Sequence, residues 1–178
     1  VSAITAALKK LGPRLITIRV QGGRIPQAHW VQDLSVGGGR LAGEACHFLD
    51  LARWLAGHPL KRLAASTMGN FHQDVPASDN LAVQMEFADG SLAQVQYGTE
   101  GGGLLPKERL EVSSAGHTFV VDDFRRAEHI DHNHSRKIAS EGKGHQEELA
   151  AFLGWVKGGA SAEPPGLCLV TSRYPFLV

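Results

Sequence analysis

From Leu81 to Val121 much of the chain alternates apolar and polar residues with a period of two, and this pattern decides most of what it can fold into. Leu81, Val83, Met85 and Phe87 fall on one side of a strand, and Ala82, Gln84 and Glu86 on the other. Asp89-Gly90 follows, a dipeptide that accepts the backbone of a tight hairpin turn. The return strand puts Ala93, Val95 and Tyr97 on one face and Gln94 and Gln96 on the other. Leu110 and Val112 carry the pattern into a further strand, Ala115-Gly116 makes a second turn, and Thr118 to Val121 form the next strand. An earlier strand falls within residues 60–68. A meander with one apolar and one half-polar face is an antiparallel sheet covered on one side.

The rest of the chain supplies the cover. Residues 1–11 repeat Ile4, Ala7, Leu8 and Leu11 at helical spacing, with Ser2 as cap and Gly12-Pro13 as stop. Residues 14–21 are rich in β-branched side chains and predict a strand. A long loop over residues 24–40 ends in Gly37-Gly38-Gly39, and loops of that length inside a domain are usually functional. Residues 41–56 predict a helix with Leu41, Phe48, Leu49, Leu51, Ala52 and Leu55 on one face, ended by Gly57 and Pro59. Residues 125–144 predict a strand fragment followed by a mobile loop. Residues 144–157 predict an amphipathic helix with Leu149, Ala150, Phe152, Leu153 and Val156 facing inward, and Pro164-Pro165 opens a last helix. The predicted fold class is α+β, a mostly antiparallel open sheet with helices packed on one face. Residues 1–12 are expected to be a linker helix left from an N-terminal domain, and residues 13–178 the α+β domain itself. Gln84, Gln94 and Gln96 point to a partly solvated free face, whereas Leu92 and Leu104-Leu105 point to apolar exposure and so to pairing of subunits through that face.

Charge and length exclude several classes. The 178 residues carry 18 basic and 18 acidic side chains, and a net charge of zero argues against nucleic acid or an anionic membrane as partner. No apolar run approaches the ~20 residues that span a bilayer, and Val1 to Lys10 lacks the pattern of a signal peptide. The two cysteines, Cys46 and Cys168, form no disulfide framework, so a reducing, cytoplasmic setting is expected, with a single 46–168 bridge as the alternative.

The glycine run leads directly into a helix that carries Glu44, Cys46, His47 and Asp50. An imidazole on a rigid helix behind a flexible hinge is a plausible wall of a proton-handling site. Trp30, Asp33, Gly37 to Gly39, His47 and Asp50 stand at the spacing of a motif found in the Gfo/Idh/MocA family (glucose–fructose oxidoreductase and inositol dehydrogenase), and the chain resembles the C-terminal domain of that family. Two positions depart from the motif. Gly43 stands where the family usually has an aspartate, with Glu44 beside it, and Ala45 stands where the family has glycine.

The resemblance implies a set of roles. His47 would be catalytic, contacting the substrate oxygen that gains or loses a proton as hydride moves. Glu44, three residues earlier and on the same helical face, would be its helper in place of the missing aspartate. Asp50, one turn beyond, and Lys107, at the polar end of the sheet, would be substrate-binding. Gly37, Gly38 and Gly39 would let the backbone approach the nicotinamide end of the cofactor. The cofactor, NAD or NADP, belongs to the parent protein and would sit on an N-terminal Rossmann domain, so this chain alone would not bind it. The substrate would be a sugar, cyclitol or related polyol, and the parent a homo-oligomer through the open sheet.

Each residue also has a plainer reading. His47 could be a core histidine satisfied by a carbonyl, Glu44 a first-turn acid favoured by the helix dipole, and Lys107-Glu108-Arg109 a solvated edge cluster. Cys46 reads as packing, because neighbouring helix residues point in different directions. Gly37 to Ala42 formally fits G-x-G-x-x-A, but no good strand precedes it and no acid lies between Leu51 and Gln73, so a nucleotide-binding turn is not expected. His129, His132 and His134 with Asp131 offer metal-ligand chemistry, yet a mobile loop gives such ligands no support, so no metal is expected. The rival to the oxidoreductase reading is a non-catalytic domain whose sheet serves only dimerisation or protein interaction.

Overall fold

The structure, a computed structural model, describes residues 2–69, 79–138 and 145–158. Its centre is an eight-stranded sheet in the order β2-β3-β4-β1-β5-β6-β7-β8. The strands are β1 (Leu15–Gln21), β2 (Leu60–Thr67), β3 (Leu81–Phe87), β4 (Leu92–Gly98), β5 (Glu108–Ser114), β6 (His117–Asp122), β7 (Arg126–Ile130) and β8 (Ser135–Ile138). All neighbours are antiparallel except β1 and β4, which run parallel with Leu15 opposite Leu92 and Gln21 opposite Gly98. The first strand is therefore inserted into the middle of the sheet. The connection from β1 to β2 passes through the helix α2 (Cys46–Ala56), which lies across β1 and β4.

Alternation sets the core as the sequence predicts. Ile16, Ile18 and Val20 of β1, Val83 and Met85 of β3, Val95 of β4 and Leu110 and Val112 of β5 are buried on one face. Against them α2 buries Phe48, Leu49, Ala52 and Leu55. Fully burying each large aliphatic side chain stabilises by about 1.5–3 kcal/mol, so this interface is the main source of fold stability. The helix α1 (Ser2–Leu8) adds Ile4 and Leu8 to the same core. Arg14 joins the three parts: its guanidinium donates to the carbonyls of Leu55, Ala56 and Leu8. A cation there complements the negative end of α2, and Gly57 closes that helix in a left-handed conformation, φ 69°.

The structure departs from the sequence expectations in several places. The predicted helix over 41–56 opens with a π-turn, Leu41–Ala45, before α2 begins. The loop over 24–40 contains a 3-10 turn, Trp30–Gln32. The segment predicted as a mobile loop after residue 130 turns back through residues 131–134 into β8, making a hairpin with β7. The tight turn before β7 has Asp123 and Phe124 both in the left-handed region, φ 51° and 52°, so it carries none of the glycine that announces such turns. The helix α3 (His145–Val156) forms at its predicted place, but Leu149, Ala150, Phe152, Leu153 and Val156 are exposed rather than facing inward. Cys168 and the helix expected at Pro164-Pro165 lie outside the described residues. Among the described residues no helix is long and apolar enough to cross a membrane.

Candidate functional site

At one end of the sheet the exit of β1, the exit of β4 and the entry of β5 meet the π-turn before α2. Glu44 lies at their junction. Its Oε2 accepts a hydrogen bond from the Tyr97 hydroxyl at 2.6 Å, and its Oε1 one from Lys107 Nζ at 2.7 Å. Arg40 Nη1 stands 3.4 Å from Oε2. Arg40 is buried, 3% exposed, with its guanidinium 5.2 Å over the Tyr97 ring and Nη2 donating to the Gly23 carbonyl at 3.0 Å. One carboxylate thus holds a phenol and two cations that come from three separate parts of the chain.

The geometry depends on close backbone approach. Gly22 continues β1 directly beneath this cluster, and a Cβ there would overlap the Tyr97 hydroxyl and the Arg40 guanidinium. The π-turn widens the helix start by one residue, with the Cys46 N–H reaching the Leu41 carbonyl, and such turns are frequent at functional sites.

Burial pushes the Glu44 carboxyl up, but the hydrogen bonds from Lys107 and Tyr97 and the charges of Lys107 and Arg40 outweigh it, leaving it below the usual carboxylate range. Glu44 is therefore an anion at neutral pH. Burial and the bond to Glu44 push the Tyr97 hydroxyl far up, so it stays a neutral donor. A second carboxylate, Asp79, is fully buried nearby. Burial raises its pKa despite a 2.7 Å bond from Gln32 Nε2 and the charge of Arg40.

His47 is exposed, as the second residue of α2. It is not a core histidine. Glu44 spends its bonds on Tyr97, Lys107 and Arg40, and none goes to His47. The structure thus brings Glu44 and Lys107 together, a pairing the sequence reading did not anticipate, and leaves the imidazole free of the carboxylate expected to orient it. Lys107 is 44% exposed at its side chain and keeps N–H donors for a further partner. Asp50 faces Arg53 in a 2.6 Å ion pair one turn further along α2. Cys46 bonds to the Ala42 carbonyl, and burial pushes its thiol up, away from nucleophilic use.

The three glycines are required by the chain's own packing. Gly38 and Gly39 take left-handed φ of 71° and 74°. A Cβ on Gly37 would lie 2.5 Å from Val31 Cα. Asp33 arranges this bend: its carbonyl accepts from the N–H groups of Val36, Gly37 and Gly38, and its carboxylate from Ser35. What precedes the glycines is the 3-10 turn and this bend, not a strand, which is the wrong frame for a pyrophosphate cradle.

Sequence reasoning missed Tyr97, Arg40, Asp79 and Gln32. Arg40 carried a signal, since a cation at a helix start opposes the dipole and needs specific acceptors. Tyr97 carried less, because its ring satisfies the apolar pattern and its hydroxyl finds Glu44 only in three dimensions.

A family model described as the GFO/IDH/MocA C-terminal domain matches residues 11–114, from just after α1 through β5. The chain belongs to that family. Among solved structures it is similar to an NAD binding oxidoreductase from Klebsiella pneumoniae, with 15% identity and a TM-score of 0.81 over 99% of this chain and 59% of that one. It is similar to levoglucosan dehydrogenase in complex with NADH, with 16% identity and a TM-score of 0.76 over 98% of this chain and 58% of that one. An aldose-aldose oxidoreductase from Caulobacter crescentus gives 15% identity and a TM-score of 0.78, over 98% of this chain and 56% of that one. The chain thus spans a little over half the length of these proteins, and at such identities the likeness is one of fold. No curated protein sequence matches it at a significant level. At Gly43, where the resemblance implies an aspartate, nothing steric requires glycine. A Cβ at Gly43 would meet only ordinary contacts, 3.5 Å from the Gly37 carbonyl and 3.8 Å from Val31 Cγ1.

Proposed function

We propose that the chain is the substrate-binding and oligomerisation domain of an NAD(P)-dependent oxidoreductase acting on a hydroxyl or carbonyl of a sugar, cyclitol or related polyol. The observation that carries this reading is the Glu44–Lys107–Tyr97 cluster at one end of the sheet, with the exposed His47 three residues after Glu44 in the chain. A carboxylate and an ammonium held side by side suit a polyol, because each sugar hydroxyl both donates and accepts. Family membership supports the reaction class, and the sugar-acting neighbours support the substrate class.

The nicotinamide cofactor, carried on a separate Rossmann domain, would supply the hydride acceptor or donor. This chain's residues fit a supporting part. His47 holds the proton of the reacting oxygen, Lys107 and Glu44 orient neighbouring hydroxyls, and Tyr97 and Arg40 keep Glu44 charged and in place. Gly37 to Gly39 form a side-chain-free wall toward the cofactor. Asp50, held by Arg53, borders the same helix face. The open sheet face would join subunits.

The test supplies the nucleotide-binding half as a separately expressed domain and follows NAD(P)H absorbance with a panel of polyols. Turnover that falls about 10²-fold or more in His47→Ala, with the fold unchanged, supports the reading. A second reading, a non-catalytic domain that joins subunits or partners through its sheet, is favoured by the missing carboxylate at Gly43 and by Leu15 and Leu92. These two are 57% and 48% exposed and adjacent on the open face. Halves that bind each other but show no hydride transfer with the wild-type chain would favour it instead.

A further inference from the structure

The β6–β7 hairpin carries a second cluster at the opposite end of the sheet. Glu108 at the start of β5 touches the Glu44 site, whereas Ser114 at its other end is opposite His117, seven residues or about 20 Å along the strand. On this hairpin Phe119 is opposite His129, so His117 and His129 fall on one face, and Asp131 follows the same alternation just past β7. His117 Nδ1 and His129 Nε2 are 3.0 Å apart. A nitrogen of each ring and an oxygen of Asp131 all lie within 4.8 Å of one another.

We propose that His117, His129 and Asp131 form a binding site for a divalent transition-metal cation of the zinc type. Two imidazoles and one carboxylate are a complete protein ligand set for such an ion, leaving one position for water. The spacing fits. Zn–N bonds of about 2.0–2.1 Å at a tetrahedral angle put two nitrogens roughly 3.3 Å apart, so the ring pair needs to open by only a few tenths of an ångström.

The ligands also have the outer support that a fixed site needs. The His129 ring stacks on Phe119 at 4.6 Å between centroids with 11° between planes, and Phe119 itself is buried. Asp131 Oδ1 accepts the N–H groups of Asn133 and His134, each at 2.9 Å, which fixes the carboxylate. The set differs from the linear H-x-x-H-x-H run. His117 lies outside that run, and His132 packs instead against Gly116, where a Cβ would sit 2.6 Å from its Nε2. His117, His129 and Asp131 all lie beyond the residues that the family model matches.

The test titrates tag-free protein with Zn²⁺ and Co²⁺ by calorimetry and absorbance, alongside His117→Gln, His129→Gln, Asp131→Asn and His132→Ala. The expected result is one equivalent bound, an affinity lowered about tenfold or more in each of the first three variants, and binding retained in His132→Ala. X-ray absorption of the zinc-loaded wild type should count two imidazole nitrogens, a readout that stands even where a variant fails to fold. No stoichiometric binding by the wild type, or binding that survives His117→Gln and is lost in His132→Ala, would overturn the proposal.

Discussion

Replacing Tyr97 with Phe removes one oxygen from the Glu44 cluster and leaves the ring under Arg40. The side chain is 1% exposed, and its hydroxyl donates to Glu44 Oε2 at 2.6 Å. Hydrogen bonds to charged groups contribute about 1.5–3 kcal/mol net. Two features pull the value to the lower part of that range. Arg40 Nη1, 3.4 Å from the same oxygen, takes over part of the interaction, and Glu44 keeps 25% side-chain exposure, so water can replace the lost donor. The expected loss is about 1.5–2 kcal/mol, a fall in Tm of roughly 3–8 °C for a chain of this length. The pH dependence follows from the direction of the Glu44 shift. Its folded pKa lies below the unfolded value, so it contributes stability above the unfolded pKa and loses it as pH falls through the folded one. The gap between wild type and Tyr97→Phe is therefore full near neutral pH and closes below about pH 4. Urea denaturation across pH, with an NMR titration of the Glu44 carboxyl, measures both. Equal stabilities at neutral pH, or a Glu44 carboxyl that the substitution leaves unmoved, would refute the account.

Gly22→Ala forces a methyl group into Tyr97 and Arg40, and about 1–3 kcal/mol of stability should disappear in thermal melts along with the Glu44–Tyr97 bond. Gly43→Asp adds the carboxylate that the resemblance implies where there is room for a Cβ, so stability should change by less than about 1 kcal/mol. A large loss there would show that the π-turn tolerates no side chain. Arg14→Met takes the guanidinium from the Leu55 and Ala56 carbonyls, leaves Leu8 with the Leu11 N–H alone and removes a cation from the end of α2, costing about 2–4 kcal/mol by denaturant titration. Asp79, whose folded pKa is raised, works against Glu44: its ionisation opposes folding as pH rises. Asp79→Asn should therefore be neutral or stabilising at pH above the normal carboxylate range and lose that advantage in acid.

The sequence carried the sheet because its signals are local. Alternation in β3 and β4 and the Asp89-Gly90 turn are read within a few residues of each other, and burial follows them strand by strand. The β7–β8 hairpin was hidden because the polar segment after Ile130 lacks an apolar face to alternate, and the turn from β6 into β7 because Asp123 and Phe124 adopt left-handed backbone without glycine. The helical period of α3 was correct, but periodicity reports an apolar stripe and not what covers it. At the candidate site, the placing of Glu44 and His47 at the start of one helical segment was legible from their spacing. The Glu44–Lys107 and Glu44–Tyr97 contacts were not, since they join residues far apart in the chain whose meeting depends on strand order.

That strand order has a kinetic implication. β2-β3-β4 and β5-β6-β7-β8 are each built from neighbours in sequence, so either meander can zip up early and alone. They have no shared edge until β1 arrives as a keystone, pairing Leu15 with Leu92 on one flank and with Ser113 on the other. Closing those long loops is the entropically expensive step and should limit the folding rate. Weakening β1 would then split the sheet along its midline into two half-formed leaves, separating Tyr97 from Lys107 before either meander melts.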